Sequence, residues 1–327
     1  MVKSCFLCEI GITKMSATSK QIIRRRAVAT NIWLSHDRGD PGFFASLPVH
    51  DLRYDVMPSE TAVGRAMFEE IADAAERKDG PLVIVIVGGR GGQALHRLLG
   101  DMARTNDYDD LLGRLHVFTQ DALAPLRMDN GLSFVRDFER RLGPDFFRKV
   151  KSFTSLRTDA ADLELELAGY VERLESLGGI DIFFLGLGPE AGGASHLCYI
   201  KPNSGATYSD VGGLIPLSES ILEHHINKFK AGGTVVSEAD EAECRRARHI
   251  LTLGPAAILG ARRVVQSIVD ADTAPAKRES YRKLLTTEIA ADAGARQKQF
   301  DENPGLWLRV HPNVRSLILQ NVLGTTD

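Results

Sequence analysis

The chain has 327 residues, 43% hydrophobic and 25% charged, with a formal net charge of −3. These are ordinary globular values, sufficient for one large α/β domain or two smaller ones. They exclude a chain-wide basic field for nucleic acid and a scaffold of disulfides built on four cysteines, and no apolar run nears the roughly 18 residues of a membrane helix.

Residues 1–50 read as an N-terminal extension, and 51–327 as one α/β domain. Up to Trp33 the only acidic residue is Glu9, against Lys3, Lys14, Lys20 and the run Arg24, Arg25, Arg26. A transit peptide, a basic tail and a later start at Met15 all fit that bias. Cys5 and Cys8 form a lone CxxC with no second Cys or His pair at zinc-site spacing, so no metal is expected. The cysteine usage fits a reducing compartment, and a cytoplasmic location is expected.

From residue 51 the pattern becomes regular. Ser59 is placed to cap a helix with apolar positions Val63, Met67, Ile71 and Ala74, and Gly80 follows its end. The stretch PLVIVIV then GGRGG then QAL predicts a buried strand over 82–87, a glycine turn, and a helix over 92–103. A strand is predicted over 115–118, ending at Thr119, Gln120 and Asp121. Helices follow over 133–142 and 160–177, then an apolar strand over 180–187 that runs into GPEAGGASH. Beyond it the pattern predicts helices over 218–229 and 238–248, and strands over 250–253 and 264–269, with 258–261 in the connection between them. A helix over 275–291 and a strand over 317–319 end the chain. Apolar strands alternating with helices predict a three-layer, Rossmann-like α/β fold: a mainly parallel sheet with helices on both faces.

In such sheets ligands collect beyond the carboxyl ends of the strands. GGRGG, TQD and GPEAGGASH all lie at such ends. A glycine turn opening a helix frees backbone N–H groups for an anion, and the helix start adds partial positive charge; the same turn also serves as a plain strand-to-helix connection. Asp121 on a strand edge is a candidate base, or a turn cap. His196 titrates near neutrality and is a candidate proton shuttle among nine histidines. Glu190 in the same loop is a second acid candidate. Lys228, Lys230 and Lys277 are candidate phosphate cations or solvated charges.

These pieces in this order resemble the glucosamine-6-phosphate isomerase/6-phosphogluconolactonase family over about residues 51–320, the deaminase branch somewhat more. RGGQA (Arg90 to Ala94) looks like its TGGTP-type phosphate loop, and VFTQD (Val117 to Asp121) like its strand ending in Asp. SHLCYIKP (Ser195 to Pro202) looks like its GHIAFNEP signature. ILTLGPAAILGARRVV resembles its LTVG stretch, and VHPN its late HP motif. The resemblance implies that Gly91, Gly92 and Gln93 bind a substrate phosphate with Lys228 and Lys277. It implies that Asp121 moves a proton between the first two sugar carbons while His196 assists ring opening. Arg90, Glu190 and Lys201 would belong to the site loops. The implied ligand is a small sugar phosphate, with no cofactor, and the family implies a homo-oligomer.

The departures are specific. Ala194 and Ser195 stand where the family has Asp-Gly, Lys201 where the deaminases have Glu, Ala122 where Glu follows the base, and Gln93 where a threonine follows the glycines. A lysine at 201 is expected to lower the proton affinity of His196. A 6-phosphogluconolactonase-like hydrolase and a non-catalytic sugar-phosphate sensor are the alternative readings. A dinucleotide fold ranks last, because GGRGGQAL lacks the GxGxxG register.

Overall fold

The computed structural model describes residues 24–28, 31–36 and 41–324. Cys5, Cys8 and Met15 lie outside them. In chain order, β1 (Arg24–Val28), β2 (Asn31–Ser35) and α1 (Pro41–Ser46) precede β3 (Arg53–Met57) and α2 (Glu60–Arg77). Next come β4 (Leu82–Ile86), α3 (Arg90–Ala103), α4 (Asp109–Leu112), β5 (Leu115–Thr119) and β6 (Asp121–Ala124). Then follow α5 (Phe134–Lys149), β7 (Ser152–Thr154), α6 (Leu163–Ser176), β8 (Ile182–Leu185), β9 (Gly188–Pro189) and β10 (Ser195–His196). The chain continues through β11 (Asp210–Pro216), α7 (Glu219–Ala231), α8 (Glu238–Cys244), β12 (His249–Leu253) and α9 (Pro255–Leu259). It closes with β13 (Arg263–Ile268), α10 (Ala276–Thr286), α11 (Ala293–Glu302) and β14 (Val314–Leu319).

Seven strands form one parallel sheet in the order β3-β14-β13-β8-β4-β5-β7. Helices flank it, with α2, α3 and α5 packed side by side. Strand β4 reads LVIVI and all five residues are buried. A continuous β-branched run of this kind suits a strand covered on both faces, each side chain contributing about 1.5–3 kcal/mol. Ser59 caps α2 as expected, its hydroxyl accepting from the Ala62 N–H at 3.2 Å.

The sheet's first strand, β3, lies at one edge; from β4 onward the chain builds outward in both directions. Strands β5 and β7 lie to one side of β4, while β8, β13 and β14 lie to the other. The switch point therefore falls between β4 and β8, where a crevice opens at the carboxyl ends.

A second sheet, of which the sequence pattern predicted only the strand that is now β12, is antiparallel with order β1-β2-β11-β12-β6. Its central strand β11 reads DVGGLIP, and the two glycines hide it from propensity. They are there for packing. A Cβ on Gly213 would lie 2.5 Å from the Trp33 ring, and one on Gly212 3.1 Å from Val171. Trp33 is fully buried, and Phe44 packs against Trp307 and Phe300. Trp33, Leu34 and Phe44 thus share the core of the α/β body, across the boundary expected at residue 50.

Other differences have local causes. The helix expected to stop at residue 142 continues to Lys149 across a kink, where Gly143 takes φ +72° and Pro144 follows. The helix expected over 275–291 ends early, at Thr286, and a separate helix begins only at Ala293. Arg309 takes the carbonyls of Leu284, Leu285 and Thr287 at the end of α10, and Asp292 caps α11. Asp121 does not end a strand. It begins β6, just where the chain leaves the parallel sheet after β5 and enters the second one.

Candidate active site

An open cleft lies at the switch point. The carboxyl ends of β4 and β8 supply Val87, Gly88, Gly186, Leu187 and Gly188 to its floor. Asp121, His196, Tyr199, Lys228, Ser267 and Lys277 reach it from five other segments.

The turn after β4 opens α3 with Gly89 at the N-cap in a left-handed conformation, φ +72°. No side chain caps this helix; the Gly92 N–H closes on the Gly89 carbonyl at 3.1 Å, and the N–H groups before it face the turn without a side-chain acceptor. Gly88 is required by contact, since a Cβ there would meet Phe134 at 2.4 Å. Gly91 lines the cleft, and its carbonyl accepts from the Ser267 hydroxyl at 2.7 Å. Gly92 and Gln93 do not line it. A Cβ on Gly92 would lie 2.3 Å from the Val87 carbonyl oxygen, and the Gln93 amide oxygen accepts from Arg97 at 3.3 Å. These two positions serve helix packing at the start of α3.

Lys228 stands over that helix start. A Cβ on Gly89 would come 3.6 Å from its Nζ. The ammonium lies 4.6 Å from the ring centres of both Phe134 and Tyr199, and it donates to the Tyr199 hydroxyl. Lys277, from α10, is buried and donates to Asp270 at 2.5 Å. Arg90 lines the cleft and pairs with Glu60. Lys230 turns away and pairs with Glu241.

Asp121 is buried, and among the described residues its Oδ1 has no hydrogen-bond partner. Burial pushes its pKa up to about 7, against the opposing pull of the Lys228 charge and a hydrogen bond from Gln120. Lys228 answers in the other sense. Burial brings its pKa down to about 8, with Asp121 holding it up. The two form a coupled acid–base pair near neutrality.

His196 sits in the β9–β10 hairpin, directly opposite Gly188. Its Nδ1 meets Glu190 Oε1 at 2.6 Å. An ionised carboxylate only accepts, so Nδ1 carries the proton and Nε2 keeps a basic lone pair. Burial lowers the His196 pKa, Glu190 opposes this, and Lys228 and Lys277 add to it. The pressure assigned in the sequence to Lys201 comes instead from these two lysines; Lys201 does not line the cleft. The hairpin is fixed from behind. Asn303 Oδ1 accepts from the Ser195 N–H and hydroxyl, both at 2.9 Å, and Ser280 on α10 donates to the Ala194 carbonyl at 2.7 Å.

Of the sequence candidates, Asp121, His196, Gly91, Arg90, Lys228 and Lys277 converge on one cleft, and Glu190 backs His196. Tyr199, His225, Asp270 and Ser267 were missed. Tyr199 lay within SHLCYIKP, and His224 and His225 precede Lys228 on α7 by four and three residues, a helical-face signal. Among the described residues no three His, Cys, Asp or Glu side chains group closely enough to hold a metal ion. No described helix is long and apolar enough to cross a membrane.

By sequence, no family model and no curated protein matches the chain. By structure, the fold is shared with sugar-phosphate deaminases and lactonases. A monomeric glucosamine-6-phosphate deaminase superposes with a TM-score of 0.62 at 20% identity, covering 83% of this chain and 98% of that one. The 6-phosphogluconolactonase of Thermotoga maritima gives 0.56 at 15%, covering 83% and 100%. That of Trypanosoma brucei gives 0.56 at 18%, covering 84% and 98%. The fold read from the sequence resemblance is therefore the observed one, reached by a chain of divergent sequence.

Proposed function

We propose that this chain is a divergent member of the glucosamine-6-phosphate isomerase/6-phosphogluconolactonase family. In this reading it is an enzyme acting on a sugar phosphate by proton transfer beside a carbonyl. The observation that carries the reading is the placement of Asp121, with a pKa near 7 and an unpartnered oxygen, in the same cleft as the Lys228 and Lys277 cations and the His196–Glu190 pair.

The phosphate is held by the open N–H groups at the start of α3 with Lys228 and Lys277. His196 Nε2 takes a hydroxyl proton of the ring sugar and delivers it to the ring oxygen, opening the chain. The Asp121 carboxylate then removes the proton from the carbon next to the carbonyl and returns it to the carbonyl carbon. A base with a pKa near the working pH suits a proton taken and given back in one cycle. Binding energy from the remote phosphate holds the opened sugar against Asp121. When the second carbon carries an amine, the shift leaves an imine there; a water molecule adds to that carbon and its C–N bond breaks, releasing ammonia and leaving the ketone.

Hydrolysis of a 6-phospho-sugar lactone is the second reading. It is favoured by the His196–Glu190 pair, which is equally suited to activating a water through Nε2. Glucosamine 6-phosphate in deuterium oxide, followed by NMR at C1 and C2, separates the two. Deuterium uptake that Asp121→Asn abolishes supports the isomerase reading. No exchange, with rapid opening of 6-phosphogluconolactone, replaces it with the lactonase.

A further inference from the structure

The cleft wall holds a hydrogen-bonded chain whose direction is determined by its far end. His225 Nε2 lies 2.7 Å from the Leu132 carbonyl oxygen, which can only accept. His225 is buried, and burial with the nearby Lys228 charge brings its pKa down to about 3, so the ring is neutral at neutral pH. Its one proton is therefore on Nε2, and Nδ1 must accept. The group 2.9 Å from Nδ1 is the Tyr199 hydroxyl, which thus donates to His225. Its oxygen lone pairs face the Lys228 ammonium, which donates to it.

The backbone confirms that this ring is held in place at a cost. Cys198 and Tyr199 take φ of +50° and +56° in the tight turn between Leu197 and Ile200. Two consecutive non-glycine residues in the left-handed region are strained, of order 1–3 kcal/mol each. That turn carries Tyr199 from the His196 hairpin to the α7 face bearing His225 and Lys228.

We propose that Tyr199 and His225 are positioning residues, a relay of fixed polarity that holds the Lys228 ammonium over the α3 start and leaves its remaining protons for a bound phosphate. The proposal rests on the phosphate-binding reading above. It adds two residues to the site and gives each a defined donor or acceptor role.

Two measurements test it without turnover. The first is the His225 tautomer in the intact protein, from long-range proton–nitrogen NMR assigned with His225→Gln. The relay requires a neutral ring protonated at Nε2; a ring protonated at Nδ1 overturns it. The second is titration with inorganic phosphate, comparing the protein with Tyr199→Phe, which keeps both rings over Lys228 and removes the hydroxyl. Loss of the charge-assisted bond is expected to weaken phosphate binding about tenfold. Unchanged affinity overturns the relay. If the unaltered protein binds no phosphate, the sugar-phosphate reading falls, and the tautomer still decides the relay.

Discussion

Gly188→Ala probes how His196 is seated. A methyl carbon built on Gly188 lies 1.8 Å from His196 Nε2, 2.1 Å from Cε1 and 2.3 Å from Cδ2. Non-bonded atoms need about 3.5 Å, so the ring or the hairpin must move by roughly 1.5 Å. The two residues face each other in the β9–β10 pair, so neither can retreat without opening it. Overpacking of this kind costs about 1–3 kcal/mol. The assay is denaturant unfolding of the protein, Gly188→Ala, His196→Ala and the double variant. With the imidazole gone the methyl has room, and the cost of Gly188→Ala should fall to within about 0.5 kcal/mol of zero. An equal cost in both backgrounds refutes the steric account. In the active protein the same displacement should lower kcat about 100-fold, since about 1 Å of misplacement suffices for that.

Two further outcomes follow from the site and the second sheet. Exchange activity should rise with pH through about 7 as Asp121 ionises and fall above about 8 as Lys228 loses its proton, the two values belonging to the coupled pair. Lys228→Met removes the charge that lowers the Asp121 pKa, so the acid limb should move to higher pH; a limb that stays or moves down contradicts the coupling. Gly213→Ala places a methyl 2.5 Å from the buried Trp33 ring. It should cost about 1–3 kcal/mol of unfolding free energy and quench or shift the tryptophan emission; an unchanged midpoint and spectrum would falsify the packing of β2 on β11.

The parallel sheet was legible because its strands are buried on both faces. The runs LVIVI and IFFL leave no polar alternation to confuse with a surface strand. The candidate cleft was legible where a residue follows such a strand closely, Gly91 after β4 and Asp121 after β5, whereas His196 comes to it through the β9–β10 hairpin. The second sheet was not, since Gly212 and Gly213 deplete β11 of strand formers, and the parallel sheet's own edge strand β3 was missed for a different reason, reading RYDVM and lying mostly exposed. The β11 glycines have meaning only once Trp33, some 180 residues earlier, lies across them.

The alternating α/β order and the residue types gathered at the strand ends could be read directly, because local periodicity and glycine turns are written in consecutive residues. The environments of those residues came from long-range packing. Asp121 becomes a carboxyl with a pKa near 7 because the chain buries it at the start of β6 opposite Thr252, with Lys228 as its neighbour. Lys228 becomes more than a surface charge because Phe134, Tyr199 and Asp121 come to it from distant segments. Proton affinities depend on burial and on neighbouring charge, and both belong to the packed chain rather than to any stretch of it.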